Sequence, residues 1–220
     1  MKLPGKQKPM PADFTRAERN LIHCIFKKVI SQKRVMLRII MTVLENPKYQ
    51  RFRTKVQDYQ KKIKEELITD CNYFMDMIHS YCIDRTGNLP ESEVFFITLV
   101  ADLTRYIAEQ TPPGPRLKDL KESIQQLYER AERKAVKLHY CSPTKMQRDL
   151  HHANFEHEFM SNTEKAIKIC EQSVLMAHAM LGNVPDEIYV EATHLQELLK
   201  ENVAIWRGQD PTSVNQNGFD

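Results

Sequence analysis

The chain has 220 residues, 41% hydrophobic and 28% charged, enough for one large domain or two small ones and arguing for a soluble globular protein against intrinsic disorder. Only six glycines occur, against about fifteen at the usual share of about 7%, which disfavours glycine-rich nucleotide-binding loops and favours helices. The net charge of +3 conceals a gradient. Residues 1–64 hold 17 basic and 4 acidic side chains, residues 65–132 hold 6 and 13, and residues 133–220 hold 9 and 12. A basic first third on a near-neutral chain points to an anionic partner.

The first eleven residues carry three prolines and no apolar run, so neither a signal peptide nor an amphipathic transit helix is predicted. Residues 1–14 read as a flexible basic segment. Asp13 or Thr15 can then cap a helix to about Leu44, ended by Asn46-Pro47 because the residue before proline leaves the helical region. A second helix is predicted over about Tyr49–Cys82, with Val56, Tyr59, Ile63 and Leu67 at the spacing of a buried stripe. Asp84–Pro90 is a turn cluster. Further helices follow at about Glu91–Glu109, Leu117–His139, Thr144–Met160, Thr163–Leu181 and Asp186–Trp206, divided by Thr111-Pro-Pro-Gly-Pro115 and Gly182-Asn-Val-Pro185. Residues 207–220 read as a disordered polar tail. The fold class is all-α: about seven helices in an antiparallel array within one domain, residues 15–206.

Cys24, Cys71, Cys82, Cys141 and Cys170 are odd in number and form no C-x-x-C pair, which fits reduced thiols in a cytoplasmic protein. His151, His152, Asn154, Glu156 and Glu158 cluster on one predicted helix, but the H-E-x-x-H spacing is missing, so no metal is expected. No cofactor motif or catalytic signature occurs, so no cofactor and no enzymatic activity are expected.

On the first helix, Asn20, Lys27, Arg34 and Arg38 fall within about 40° of one another. A solvated basic face, an anionic surface and a small-anion site all fit such a stripe. A small anion is favoured, because the rest of the chain is net acidic. In the apolar third helix, Arg105-Tyr106 stands out. Asp102 can pair with the arginine one turn away, either as a structural ion pair or while Arg105 and Tyr106 complete an anion pocket. On the last helix, Leu195, Leu198, Asn202 and Trp206 lie near one face. They are either core residues or a surface on which Asn202 could clamp peptide backbone.

These segments together resemble 14-3-3 proteins. Glu18-Arg-Asn-Leu21 with Lys27 and Lys33-Arg34 resembles the start of that family's third helix. Tyr59, Lys62-Ile-Lys-Glu-Glu-Leu67 and Cys71-Asn72 resemble the next. Val94-Phe95, Asp102 and Arg105-Tyr-Ile-Ala-Glu109 resemble its Arg-Tyr helix, and Leu198-Leu-Lys-Glu-Asn202 with Trp206 its closing helix. The resemblance implies a non-enzymatic, all-helical adaptor with an amphipathic groove for phosphoserine or phosphothreonine peptides of partner proteins. Lys27, Arg34, Arg105 and Tyr106 would hold the phosphate. Glu158, Asn202 and Trp206 would contact the peptide, and Leu195 and Leu198 would line the apolar wall. Phosphorylated proteins are the implied partners, with no membrane and no nucleic acid expected.

Departures from the family pattern accompany the match. His151 stands where the family has a groove asparagine, Asn154 at an aliphatic position, Thr98 at a groove lysine and His194 at a groove leucine. These imply altered affinity or sequence preference, with pH sensitivity through His151. The family begins with two further helices that build its dimer interface, so a monomer or weakened homo- or heterodimer is expected of this chain. The alternative reading is a helical scaffold that binds acidic partners or nucleic acid through its basic first third, without phosphate dependence.

Overall fold

The computed structural model describes residues 13–83 and 89–209. Seven α-helices run through them: α1 (Arg16–Glu45), α2 (Arg53–Met77), α3 (Pro90–Glu109), α4 (Pro115–Ala135), α5 (Pro143–Glu158), α6 (Thr163–Met180) and α7 (Asp186–Trp206). The expected flexible start lies outside the described residues except for Asp13 and Phe14, as does the polar tail beyond Gln209 and the turn at 84–88.

Of the two proposed caps for α1, Thr15 is the one used. Its hydroxyl accepts from the Glu18 amide at 3.2 Å, and Glu18 reaches back to the Thr15 amide at 2.7 Å. This reciprocal pair satisfies two amides that the first helical turn would otherwise leave free. At the far end, Asn46 leaves the helix and its side chain accepts from the Lys48 amide at 3.0 Å. The predicted second helix therefore begins differently. Pro47–Phe52 winds as a 3-10 turn, α2 starts at Arg53, and a π-helical turn, Ile78–Cys82, closes it. Helix α4 stops four residues before the expected His139, and Ser161 at φ 54° with the Asn162 cap separates α5 from α6.

The core has three connected parts. One joins α1, α2 and α3 through Phe26, Ile30, Leu37, Ile63, Leu67, Phe74, Phe96 and Leu103. A second joins α5, α6 and α7 through Met146, Ala153, Cys170, Leu195 and Leu199. Between them, Ala101, Ala108, Ile124, Tyr128 and Phe155 join α3, α4 and α5. Helix α3 contributes to the first part and to the middle one and is buried nearly all round, which is why its sequence shows so few polar positions. Of the polar ones it does carry, Asp102 and Arg105 are held by partners and belong to the site. All five cysteines are free, with Cys24 alone exposed. Burial pushes the Cys71 and Cys170 thiols up to about 12, so they are poor nucleophiles.

Candidate functional site

Helix α1 brings Lys27 and Arg34 to one side of a cleft, and α3 brings Asp102 and Tyr106 to the other, with His151 of α5 closing it. His23, Phe26, Ile30, Ser31, Leu99 and Leu103 complete the lining of about 180 Å³. The spacing explains the convergence. Lys27 and Arg34 are seven residues apart and share a helical face, while Asp102, Arg105, Tyr106 and Glu109 follow one another at three- and four-residue steps.

Glu109 organises the cations. Arg34 donates to it with both edge nitrogens, Nε at 2.8 Å and Nη2 at 2.7 Å. Arg105 donates to the same carboxylate from Nη1 at 3.3 Å. The Tyr106 ring lies beside both guanidinium groups, its centre 4.2 Å from the Arg34 guanidinium carbon and 4.9 Å from that of Arg105. Two cations from different helices thus meet over one anion and one aromatic ring. The fork-to-carboxylate geometry fixes the Arg34 head group, and the ring adds a cation–π contact.

Beneath this layer lies Asp102. It accepts the Tyr128 hydroxyl at 2.8 Å, lies 2.5 Å from His151 Nδ1, and its Oδ1 is 3.8 Å from Arg105 Nη2. Burial works to raise its pKa, but His151, Arg105 and the Tyr128 hydroxyl outweigh it and hold the carboxyl below its ordinary value. Burial, with Asp102 close by, pushes the Tyr106 phenol up to about 12. For Arg105 the penalty of burial is outweighed by Asp102, the tyrosines and Glu109, so the guanidinium stays charged. His23 is shifted the other way: burial lowers it, His151 and Lys27 add to the effect, and Asp102 opposes them.

The remaining expected residues divide between this cleft and its surroundings. Arg105 is itself buried, and its Nε has no hydrogen-bond partner. The structural Arg–Asp pair and the convergence with the α1 cations therefore coexist. Glu158 is 3.6 Å from Arg105 Nη1 and half exposed, so it faces the cations. Asn202 donates to Asn154 at 3.0 Å, tying α7 to α5, and Trp206 stacks on His157 at 4.8 Å. His151, Asn154 and Glu158 follow each other along one side of α5 and link the cleft to this amide pair. Leu195 is in the core beside Leu199, leaving Leu198 as the partly exposed leucine. Thr98 is buried, its hydroxyl without a partner, in a small recess with His23, Phe95 and His151. His194 and Arg38 point to solvent.

Sequence reasoning did not assign Glu109, His23 or Tyr128 to the site. Glu109 and Arg105 stand four residues apart, a spacing that carries the signal. His23 precedes Lys27 by the same step. Nothing local marks Tyr128, which reaches Asp102 from another helix. The histidine cluster is occupied otherwise: Glu156 accepts from Lys165 at 2.7 Å and lies 3.2 Å from His152, whose ring stacks on Tyr128. Among the described residues no group of three His, Cys, Asp or Glu is placed to hold a metal ion. Among them, too, no helix is long and apolar enough to cross a membrane.

The profile of the 14-3-3 protein family matches residues 6–207. Similar curated proteins include 14-3-3 protein 2 of Entamoeba histolytica, 28% identical over 201 residues covering 90% of this chain and 83% of the relative. The 14-3-3-like protein G-BOX factor 14 kappa of Arabidopsis thaliana is 29% identical over 198 residues, 88% and 79% of the two chains. Human 14-3-3 protein beta/alpha is 27% identical over 207 residues, 93% and 81%.

Proposed function

The chain belongs to the 14-3-3 family, whose members are non-enzymatic adaptors, and on that premise we propose that its α1–α3 cleft binds phosphoserine or phosphothreonine in partner proteins through Lys27, Arg34, Arg105 and Tyr106. A phosphorylated side chain carries about −1.5 to −2 charges and three acceptor oxygens. Two guanidinium groups, an ammonium and a phenol supply donors to all three. The observation that carries the reading is the shared carboxylate: Arg34 and Arg105 already converge on one anion, Glu109. An anion on the cleft side is therefore within reach of both. Lys27, exposed at the rim, adds a third charge with no rearrangement of the core.

The flanking peptide would run along α5 and α7, over Glu158, Asn202, Leu198 and Trp206, with Leu195 supporting from beneath. His151, Asn154, Thr98 and His194 would alter its sequence preference. Asn202 would exchange its bond to Asn154 for the peptide backbone, a trade of like hydrogen bonds. A cytoplasmic location accompanies this reading.

Fluorescence anisotropy with one labelled peptide, phosphorylated and unphosphorylated, tests the assignment. Phosphorylation is expected to tighten binding, and Arg34→Ala or Arg105→Ala to remove that difference. Because Arg105 is buried, Arg34→Lys serves as the milder variant: it keeps the charge and loses the fork. Equal affinity for both peptides in the wild-type chain overturns the reading and favours a phosphate-independent scaffold.

A further inference from the structure

The corner between α1 and α2 has no part in the cleft, and its surface is of a different kind. Eleven consecutive residues, Glu45 to Lys55, are all exposed. They include Lys48, Arg51, Arg53 and Lys55 against a single acid, Glu45. Among the described residues none of these four cations forms an ion pair with a carboxylate, whereas Arg19, Lys33 and Arg34 earlier in α1 each do. Two aromatic rings are set between them. Tyr49 and Phe52 are 38% and 43% exposed, and each lies under its neighbouring cation, Lys48 at 5.8 Å and Arg51 at 4.6 Å. The last two turns of α1 add Ile39 and Met41, both more than half exposed. The corner begins about 16 Å along α1 from Arg34, at 1.5 Å per residue.

From this we infer that the α1–α2 corner is a docking surface for anionic phospholipid bilayers. Exposed aromatic and aliphatic side chains among unpaired Lys and Arg are the composition that settles at a lipid interface. The apolar groups enter the headgroup boundary while the cations meet phosphate and carboxylate groups. A single nucleic-acid strand would be met in a charged groove that tracks its backbone. Among the described residues, the clefts between α1 and α3, between α1 and α2 and among α4–α6 take no residue from 45–55. An acidic peptide would likewise need a groove to hold its backbone. A bilayer needs none, because it is a fluid plane onto which a projecting corner can settle. The 3-10 turn of Pro47–Phe52 holds both rings and their neighbouring cations at the exposed surface of that corner.

Flotation of the full 220-residue chain with vesicles tests the inference. Vesicles of phosphatidylcholine with roughly 30% phosphatidylserine are expected to carry the protein, and pure phosphatidylcholine vesicles to leave it behind. The Arg51→Gln/Arg53→Gln double variant is expected to weaken binding roughly tenfold or more, and raised salt to weaken the wild type similarly. Tyr49→Ser/Phe52→Ser should lower binding at low and high salt alike, because it removes the apolar contribution. All four residues are exposed, so circular dichroism and the phosphopeptide anisotropy assay should be unchanged in both variants. The inference is overturned if the wild type ignores anionic vesicles, if it binds neutral ones equally, or if the corner variants bind like the wild type. Tighter binding of a random single-stranded oligonucleotide through these same residues overturns it as well.

Discussion

Replacing Glu109 by glutamine separates two roles that this carboxylate could play beside the bound phosphate. In the free protein it takes both edge nitrogens of Arg34 and one nitrogen of Arg105, so it neutralises charge that a phosphate would use. A phosphate held on the opposite edges of those guanidinium groups would stand about 6 Å from Glu109. At that distance two unit charges repel by about 3 kcal/mol at an effective dielectric of ~20 and by about 0.7 kcal/mol in bulk water. Both Arg34 and Glu109 keep about a fifth of their side-chain surface exposed, so a value between these limits applies. The near-double charge of the phosphate raises it, while the loss of a charge-assisted bond that orients Arg34 lowers it. The balance is about 1.4 kcal/mol, or roughly a tenfold tightening of phosphopeptide binding. The unphosphorylated peptide should change little, and the free variant should melt a few degrees lower, since two confined guanidinium groups lose a counter-ion. Anisotropy titrations of both peptides, with a thermal melt, measure all three quantities. Weaker phosphopeptide binding by the Glu109→Gln variant would refute the competition argument and make Glu109 a positioning residue for Arg34.

Four further outcomes follow from contacts described above. Phosphopeptide affinity should rise as pH falls below 7: burial lowers the His23 pKa in the free protein, a nearby phosphate favours the protonated imidazole, and binding then takes up a proton. His151, Lys27 and Asp102 face His23 and share this field. Titrations across pH, with His23→Gln and His151→Asn as controls, measure it, and an unchanged affinity would dismiss it. Asp102 contributes to stability with the opposite sign. Its folded pKa lies below the ordinary value, so that contribution is complete at neutral pH and lost in acid, as pH falls through the folded pKa. Tyr128→Phe removes the hydroxyl that Asp102 accepts and should destabilise by about 1–3 kcal/mol, read from urea unfolding. Thr15→Ala removes the cap of α1 and should lower stability by about 1 kcal/mol.

The helices were legible because proline and asparagine punctuate the chain and because α1, α2 and α7 bury only one stripe. Helix α5 was legible in extent, predicted at about Thr144–Met160 and found at Pro143–Glu158, but its buried face was not. Arg148, Asp149, His152 and Glu156 are all buried, so polar spacing does not mark its outer face. Some of their partners come from other helices, such as Glu132 at 3.8 Å from Arg148 and Lys165 at 2.7 Å from Glu156. Burying such groups is tolerable only when they are paired, and the pairing partners are invisible to periodicity. The same limit governed the site. Lys27, Arg34, Arg105 and Tyr106 were legible as a set through the family resemblance, and three of them line one cleft with the fourth directly behind. Of the acids that balance them, Asp102 was legible as a partner of Arg105 and Glu109 was not, since a carboxylate four residues from an arginine looks alike whether it serves that arginine or a second one on another helix.

That balance also resolves the charge gradient along the chain. Four of the six cations in the first two-thirds of α1 are matched with acids from the acidic remainder: Arg16 with Glu191, Arg19 with Glu91, Lys33 with Asp70, Arg34 with Glu109, while Lys27 and Lys28 stay exposed. Most of these acids lie more than thirty residues away in sequence, so the gradient is an arrangement for joining α1 to α2, α3 and α7 as much as a signal for a partner. From Arg38 onward the matching stops. Arg38, Lys48, Arg51, Arg53 and Lys55 have no carboxylate within ion-pair distance among the described residues, and all are exposed. An interior or joining role would require counter-ions that these residues do not have, and a merely solvated face would gain nothing from Tyr49 and Phe52 beside them. The cations that remain unmatched after folding are exposed, and at the corner between α1 and α2 they stand beside two exposed aromatic rings.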